Sequence, residues 1–244
     1  MQKPKNLVRL VQVALLIFGY GVIRGNMSII IAVDGTAASG KGTLAKRLAR
    51  HFGFAHLDSG SLYRLVALGV MEAHGDPNNE ADAVKAARAI DPKRADDPAI
   101  RTAEIGNIAS VVSAIPAVRA ALLEFQRAFA ATAPGAVIDG RDIGTVVCPD
   151  ATAKLFVDAR PEIRAHRRWL ELKEAGNAPA ESAILAEILA RDARDRSRAV
   201  APLRPATDAR LLDTSDLAID AAFAAALALV KPSVENALKA RQGG

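Results

Sequence analysis

One segment constrains the fold more than any other, because an apolar run leads directly into a glycine-rich turn. The run SIIIAVDG is apolar from Ile29 to Val33, as expected of a strand buried on both faces of a parallel sheet. The turn TAASGKG follows, and a helix is predicted from Lys41 to about Phe52. A strand, a tight turn and a helix in this order indicate a parallel α/β sheet.

The turn also has the spacing of a phosphate-binding P-loop, G-x-x-x-x-G-K. Glycines let successive backbone N–H groups point at phosphate oxygens beside a helix N-terminus, and Lys41 then bridges the β- and γ-phosphates. Thr43 is the candidate hydroxyl for Mg²⁺ held with the ATP phosphates. The predicted nucleotide-binding residues are Gly35, Thr36, Ala37, Ala38, Ser39, Gly40, Lys41, Gly42 and Thr43.

Gly42 distinguishes this loop from the commoner form, in which Ser or Thr directly follows the lysine. A glycine here lets the backbone approach a second ligand more closely, while Thr43 keeps a hydroxyl nearby. The sequence GKGT is the form found in nucleoside monophosphate kinases. The loop therefore indicates phosphoryl transfer between small molecules.

The composition favours a small anionic ligand over nucleic acid. The chain of 244 residues suits one α/β domain, and its net charge of +5 fits either partner. Only 4% of the residues are aromatic, so side chains that stack on bases are scarce. The single cysteine, Cys148, excludes an intramolecular disulfide and is predicted to be a core residue, and the four histidines lack metal-ligand spacing. We expect a cytoplasmic protein with no nucleic-acid partner.

Residues 1–26 are set apart from the fold. Their apolar run from Leu10 to Ile23 is shorter than the about 20 residues that a membrane-spanning helix needs. No small-x-small cleavage site follows it, as a signal peptide would require. We expect Met27 to be the natural start, or residues 1–26 to be a loosely attached extension, with no membrane association.

Further along the chain, β-rich runs alternate with amphipathic stretches, which predicts a parallel sheet between two layers of helices. FAHLDSG, GAVIDGRDIG, ATAKLFVDA and ARLLDTS supply four further strands, five in all. Asp216 is the predicted cap of the last helix. Ligands collect beyond the carboxyl ends of such strands. The aspartates expected to cluster there are Asp34, Asp58, Asp139, Asp158 and Asp213.

A second group of residues suits a second phosphate, because two anions brought together require cations. Ser59 and Gly60 open a helix with Arg64 one turn later, and Arg141 follows the third strand. Arginine is well suited because its planar guanidinium group can bind two phosphate oxygens at once. Three more arginines share a helical face, although a solvated charged face explains that spacing equally well when it is taken alone. They are Arg191, Arg194 and Arg198.

Together these motifs resemble the bacterial cytidylate kinase family, the ATP-dependent (d)CMP kinases, over about residues 29–230. The P-loop alone is shared with many kinases, but the combination of blocks is specific, since adenylate kinases carry a different acceptor motif. The blocks, in the family's order, are VDGTAASGKGT, LDSGSLYR, VIDGRDIGTVV, KLFVDA with RAHRR, and RDARDRSRAVAPL with LLDTS.

The resemblance implies roles for individual residues. Lys41, Arg141 and Arg198 would act on the transferred phosphoryl group, and Arg64 would join the two arginines around the CMP phosphate, with Ser59 in the same site. The residues implied to read the cytosine are Ser110, Arg119 and Asp142. A carboxylate there can accept from the exocyclic amine, which uracil lacks. The remaining implied residues are Arg191 and Asp195 near the ribose, and Arg167 in a lid near ATP.

The resemblance also implies a fold, a three-layer P-loop kinase domain over residues 27–231 with a five-stranded parallel sheet flanked by helices. About residues 60–130 would form the monophosphate-binding segment, and about residues 161–200 the lid and arginine-rich helix, before a C-terminal tail at 232–244. Many members carry a longer insert with a small antiparallel sheet. The short, Pro- and Ala-rich segment 76–100 predicts a reduced, mostly helical version.

The function implied is phosphorylation of CMP and dCMP by a monomer, with ATP as donor and Mg²⁺ as cofactor. One alternative is a kinase of UMP or AMP on the same scaffold. Another is a nucleotide-dependent regulatory protein, although no guanine-recognition motif of the N/TKxD type is visible.

Overall fold

The computed structural model describes residues 28–242 except residues 175 and 177. The predicted extension, residues 1–26, lies outside this described part. Five parallel strands form one sheet in the order β2–β3–β1–β4–β5, which confirms the predicted fold class. The strands are β1 (Ile29–Gly35), β2 (Ala55–Asp58), β3 (Gly135–Gly140), β4 (Ala153–Asp158) and β5 (Arg210–Asp213).

Helices connect β1 to β2, β2 to β3 and β4 to β5, as expected of parallel pairing. The helices are α1 (Lys41–Phe52), α2 (Ser59–Glu72), α3 (Glu80–Ala89), α4 (Ala103–Val112), α5 (Pro116–Ala130), α6 (Pro161–Glu174), α7 (Glu181–Ser197) and α8 (Ile219–Gln242). A π-helical turn, Ile143–Val147, follows β3.

The sheet lies between two helical layers because alternate side chains of each strand face opposite sides. In β1, Ile31 and Val33 pack with α1 and α8, whereas Ala32 packs with helices α2 to α5. A third, small apolar cluster joins α6 to α7, and we call it the lid core. Its buried residues are Ala165, Ile184 and Ile188.

The segment between α2 and α4 is mostly helical, as the sequence predicted. Asn79 caps α3 through its side chain, and two 3₁₀ helices follow at Pro92–Asp96 and Pro98–Arg101. Asp91 and Asp97 cap these short helices in the same way. The segment 76–100 is fully described and contains no strand.

The carboxyl ends of the strands bring the predicted aspartates to one rim. Asp58 lies beside Asp139, and Asp158 beside Asp213, in the strand register. Asp34 ends the neighbouring strand β1 opposite Gly140. This confirms the expected cluster, since parallel strands end at the same edge.

The last helix differs from the prediction at both ends. It begins at Ile219 and not at Asp216, whose carboxylate instead accepts two hydrogen bonds from Arg160, at 2.6 and 3.0 Å. It also continues through residues 232–242, where a tail was expected, because Val234 is buried against the sheet-side core. By length and composition alone α8 is also a candidate membrane span, although one of its faces packs on the sheet.

Candidate active site

The P-loop, Gly35–Thr43, owes its path to two glycines. A Cβ on Gly35 would lie 2.0 Å from the carbonyl oxygen of Val157, so only glycine lets the loop cross the end of β4. Gly40 has φ 85° and precedes α1, a conformation that glycine adopts without strain. These two positions explain why the motif requires glycine there.

The hydroxyls of the loop are used within the protein. Thr36 donates to Asp158 at 2.6 Å, and Ser39 donates to the carbonyl oxygen of Thr36 at 3.0 Å. Thr214, which follows β5, donates to the carbonyl oxygen of Ser39 at 3.0 Å. Backbone N–H groups at the start of α1 therefore remain the natural phosphate donors.

Lys41 is half-buried at the mouth of the loop, with its Nζ atom 3.4 Å from the carbonyl oxygen of Thr36. Burial and the nearby Arg141 lower the pKa of Lys41 to about 8. Gly42 follows, and a Cβ there would lie at an ordinary 3.5 Å from Asp139. Thr43 is exposed one residue later.

A cavity of about 240 Å³, here called the inner cavity, opens beside Lys41 at the ends of β2 and β3. Arginines dominate its walls, and carboxylates from strand ends and α7 offset part of their charge. Its charged lining residues are Lys41, Arg64, Arg119, Arg141, Arg191, Arg198, Asp58, Asp139, Asp142 and Asp195. Six cations against four carboxylates leave the cavity attractive to an anion.

Asp195 of α7 organises two of the arginines. It is 1% exposed and accepts from Arg141 at 2.8 Å and from Arg198. Burial acts to raise the pKa of Asp195, but Arg141 and Arg198 hold it below its ordinary value. The ionised carboxylate thus fixes both guanidinium groups at the cavity wall.

Two guanidinium groups that line the inner cavity each retain a buried donor without an acceptor among the described residues. The Nε atoms of Arg191 and Arg198 have no hydrogen-bond partner within the part of the chain that the structure describes. Burial, together with the neighbouring Arg141, lowers the pKa of Arg191. Since an unsatisfied buried donor costs about 1–3 kcal/mol, an anion entering the cavity would relieve both groups.

Arg64 is held against the segment that precedes α4. Its Nη1 atom donates to the carbonyl oxygens of Ile100, at 2.6 Å, and Thr102, at 3.3 Å. Gly106 makes room for it, because a Cβ there would lie 3.0 Å from Nη2 of Arg64. The short segment found in this chain thus positions an arginine of the inner cavity.

Arg119 and Asp142, two of the residues that the resemblance implies for base recognition, also line the inner cavity. Arg119 forms a buried ion pair with Asp142, donates to the carbonyl oxygen of Ser113 at 3.2 Å, and lies 5.6 Å from the Tyr63 ring centroid. Ser59 donates to the backbone of Asp139 at 2.7 Å. The Arg119–Asp142 pair therefore presents hydrogen-bond donors and acceptors in a fixed arrangement.

The structure brings most, but not all, of the sequence-predicted residues to this cavity. Ser113 lines it, whereas the buried Ser110 accepts from Arg194 at 3.3 Å. Arg194 consequently faces α4, while Arg191 and Arg198, which directly follows α7, line the inner cavity. Arg167, half-buried, donates to the carbonyl oxygen of Thr214 at 2.6 Å and to its hydroxyl at 3.1 Å.

A second cavity of about 760 Å³, the outer cavity, separates the lid helices α6 and α7 from residues 101–107. Arg101 and Arg168 line it, and Ala37 and Ala38 of the P-loop line both cavities. The two cavities therefore adjoin at the P-loop.

Sequence reasoning did not assign several lining residues to the site, among them Tyr63, Ser113, Asp139 and Arg168. Signals existed for three of these four. Asp139 was among the rim aspartates, Tyr63 lies inside the LDSGSLYR block, and Arg168 directly follows Arg167. Ser113 had no signal, because only the helix end decides which serine faces the cavity.

The described residues hold no cluster of three His, Cys, Asp or Glu side chains arranged for a metal ion. Cys148 is buried, and burial raises the pKa of its thiol to about 11, so it is a poor nucleophile, as expected.

Comparison with known proteins agrees with this geometry. A family model described as Cytidylate kinase matches residues 31–232. The protein named Cytidylate kinase of Afipia carboxidovorans is 58% identical over 203 residues, covering 83% of this chain and 97% of the relative. That of Rhodopseudomonas palustris strain TIE-1 is 57% identical over 203 residues, covering 83% of this chain and 96% of the relative. The chain therefore belongs to the cytidylate kinase family.

Proposed function

We propose that this protein transfers the γ-phosphoryl group of ATP to CMP and dCMP, giving CDP and dCDP. The observation that carries the proposal is the inner cavity, where six cations surround a space that opens beside the P-loop lysine. Its mixture of arginines and carboxylates suits a ligand that has both a phosphate and a polar base.

The transfer is an in-line displacement. A 5′-phosphate oxygen of CMP attacks the γ-phosphorus, and the bond from that phosphorus to the β,γ-bridging oxygen breaks, which releases ADP. Lys41, at the junction of loop and cavity, follows the migrating charge. Arg141 and Arg198, fixed by Asp195, stabilise the acceptor phosphate and the transferring group.

No general base is required in this mechanism. The second pKa of a phosphate monoester is about 6, so the attacking oxygen is already ionised at neutral pH. What the protein must do is hold two anions together and exclude water. The lid helices α6 and α7, which border the outer cavity, are the elements that would close over the nucleotides.

Mg²⁺ prefers oxygen ligands and keeps several waters, and the Thr43 hydroxyl is an oxygen ligand of this kind. The exposed Thr43 hydroxyl and the nucleotide phosphates would hold it, and when bound it neutralises charge on the β- and γ-phosphates. Gly35–Lys41 would cradle the triphosphate through backbone N–H groups, and Arg167 and Arg168 of α6 lie on the lid side.

Base selection is assigned to the buried pair Arg119–Asp142. A carboxylate accepts from the exocyclic amine of cytosine, whereas the carbonyl of uracil would face it with no hydrogen to donate. Ser113 and Ser110 border this end of the site, and Arg191 with Asp195 lies toward the ribose. We further infer a cytoplasmic monomer that binds neither membranes nor nucleic acid.

The experiment that tests this proposal is a steady-state assay with ATP against CMP, dCMP, UMP and AMP. The expected result is the highest kcat/KM with CMP and dCMP. A preference for AMP or UMP would overturn the proposed acceptor. Salt-dependent RNA binding without CMP-dependent ATP turnover would overturn the kinase assignment altogether.

A further inference from the structure

Arg164 of α6 is the largest side chain that the fold buries completely, at 1% exposure. A buried guanidinium is tolerated only where its donors are satisfied. Arg164 donates to the carbonyl oxygen of Ala159 at 2.8 Å, to that of Ala37 at 3.1 Å, and to the carboxylate of Asp192 at 2.6 Å. One side chain therefore joins the loop after β4, the P-loop and α7.

The contact with Ala37 orients a peptide group of the P-loop. In a trans peptide the C=O of one residue and the N–H of the next point in opposite directions. Because the carbonyl of Ala37 is held toward Arg164, the N–H of Ala38 points away from it. Ala38 itself has φ 58° and packs against the lid core.

The contact with Asp192 orients α7. Asp192 is 3% exposed, and its Oδ1 atom has no hydrogen-bond partner within the described chain, so Arg164 is its principal restraint. Arg191 directly precedes it, and Asp195, which holds Arg141 and Arg198, follows less than one turn later. A shift of Asp192 would therefore move the acceptor arginines.

From these contacts we propose that the Arg164–Asp192 pair couples the two nucleotide sites. Binding of the donor nucleotide to the P-loop then increases the affinity of the protein for the acceptor nucleotide, and binding of the acceptor increases the affinity for the donor. The inference rests on the proposed function. Arg164 is a positioning residue, because it contacts the P-loop backbone and α7 but lines neither the inner nor the outer cavity. Coupling of this kind is reciprocal, and such couplings change affinity by about 5- to 150-fold.

Isothermal titration calorimetry tests the coupling directly. The dissociation constant of CMP is measured with and without a non-hydrolysable ATP analogue and Mg²⁺, for wild type and for Asp192→Asn. We expect the analogue to tighten CMP binding at least about fivefold in wild type and less than about twofold in the variant. Asp216→Asn is the matched control, since it removes an exposed partner of Arg160, and it should keep the wild-type coupling.

A double variant keeps the inference testable if the single variant does not fold. If Asp192→Asn does not fold because Arg164 is left unpaired, Arg164→Met with Asp192→Leu replaces the pair by apolar groups, which buried sites often tolerate. It too should lose the coupling. If a folded variant shows the same coupling as wild type, or if wild type shows no coupling, this inference is overturned but the proposed function is not. Failure of CMP to bind wild type overturns the proposed function as well.

Discussion

The carboxylate of Asp34 accepts a 2.7 Å hydrogen bond from the backbone N–H of Gly144. Its other oxygen accepts an equally short bond from Ile143. Asp34 directly precedes the P-loop, and the turn that it holds directly follows Asp142. Burial raises the pKa of Asp34 to about 7, against the opposing effect of these two bonds. One buried carboxyl group thus joins the strand that leads into the P-loop to the turn that follows Asp142.

We expect Asp34→Ala to destabilise the protein by about 2–5 kcal/mol, because each buried N–H left without an acceptor costs about 1–3 kcal/mol. Urea unfolding measures the change. Asp150→Ala, at an exposed position, is the control and should stay within about 0.5 kcal/mol of wild type. Equal stability of the two variants would mean that the turn does not depend on Asp34.

Arg141→Ala should reduce CMP kinase activity by at least a few hundredfold, in line with the about 10³–10⁵-fold contribution of arginines to phosphoryl transfer. The protein should remain folded, since Asp195 keeps Arg198 as a partner. Steady-state kinetics and circular dichroism check both points. Arg160→Ala, which removes an exposed arginine bound to Asp216, should retain activity. Near-wild-type turnover of the Arg141 variant would show that Arg141 has no role in the reaction.

The lowered pKa of Lys41 predicts a pH dependence. Burial and Arg141 lower this pKa to about 8, so in the free enzyme Lys41 loses its positive charge as the pH rises through 8. Above this pH, kcat/KM for ATP should fall with a slope that approaches tenfold per pH unit. The fall in kcat should be smaller, because bound phosphates favour the protonated form of Lys41. The Lys41→Arg variant should be less active, but its kcat/KM should stay constant from pH 8 to about 10. A flat wild-type profile over that range would contradict the assignment.

Asp142→Asn should weaken discrimination between bases. The asparagine amide can donate to a carbonyl of uracil, which the carboxylate cannot do, so the ratio of kcat/KM for CMP over UMP should fall at least about tenfold. The acceptor assay measures this ratio. Asp208→Asn, at a more exposed carboxylate paired with Lys154, should leave it unchanged. An unchanged ratio in the Asp142 variant would place base recognition elsewhere.

The fold could be predicted from the sequence because its signals are local. Apolar runs, glycines and helical spacing identify five strands and the P-loop, and parallel pairing alone brings the strand-end aspartates to one rim. Asp216 shows where local signals fail. It follows a strand and precedes a helix, as a cap would, but Arg160, 56 residues earlier, binds it instead.

The arrangement within the site required the structure. If the spacing of α7 continued to Arg198, the residue after its end, then at about 100° per residue Arg198 would lie about 20° around the helix from Arg191, but Arg194 lies about 60° away. That difference sends Arg194 to Ser110 while the other two line the inner cavity. Likewise, Ser113 faces the cavity because α4 ends at Val112, a boundary that spacing cannot resolve to one residue.

Gly42, the residue that sets this P-loop apart, can be tested against another helical glycine. A Cβ on Gly42 would lie 3.5 Å from Asp139, and a Cβ on Gly69 would lie 3.4 Å from Ala86, so alanine fits at both. Both variants should fold and gain up to about 1 kcal/mol of helix stability. Only Gly42→Ala should raise KM for CMP, because its methyl group enters the inner cavity wall. Equal kinetics of the two variants would show that the acceptor does not approach the loop at Gly42.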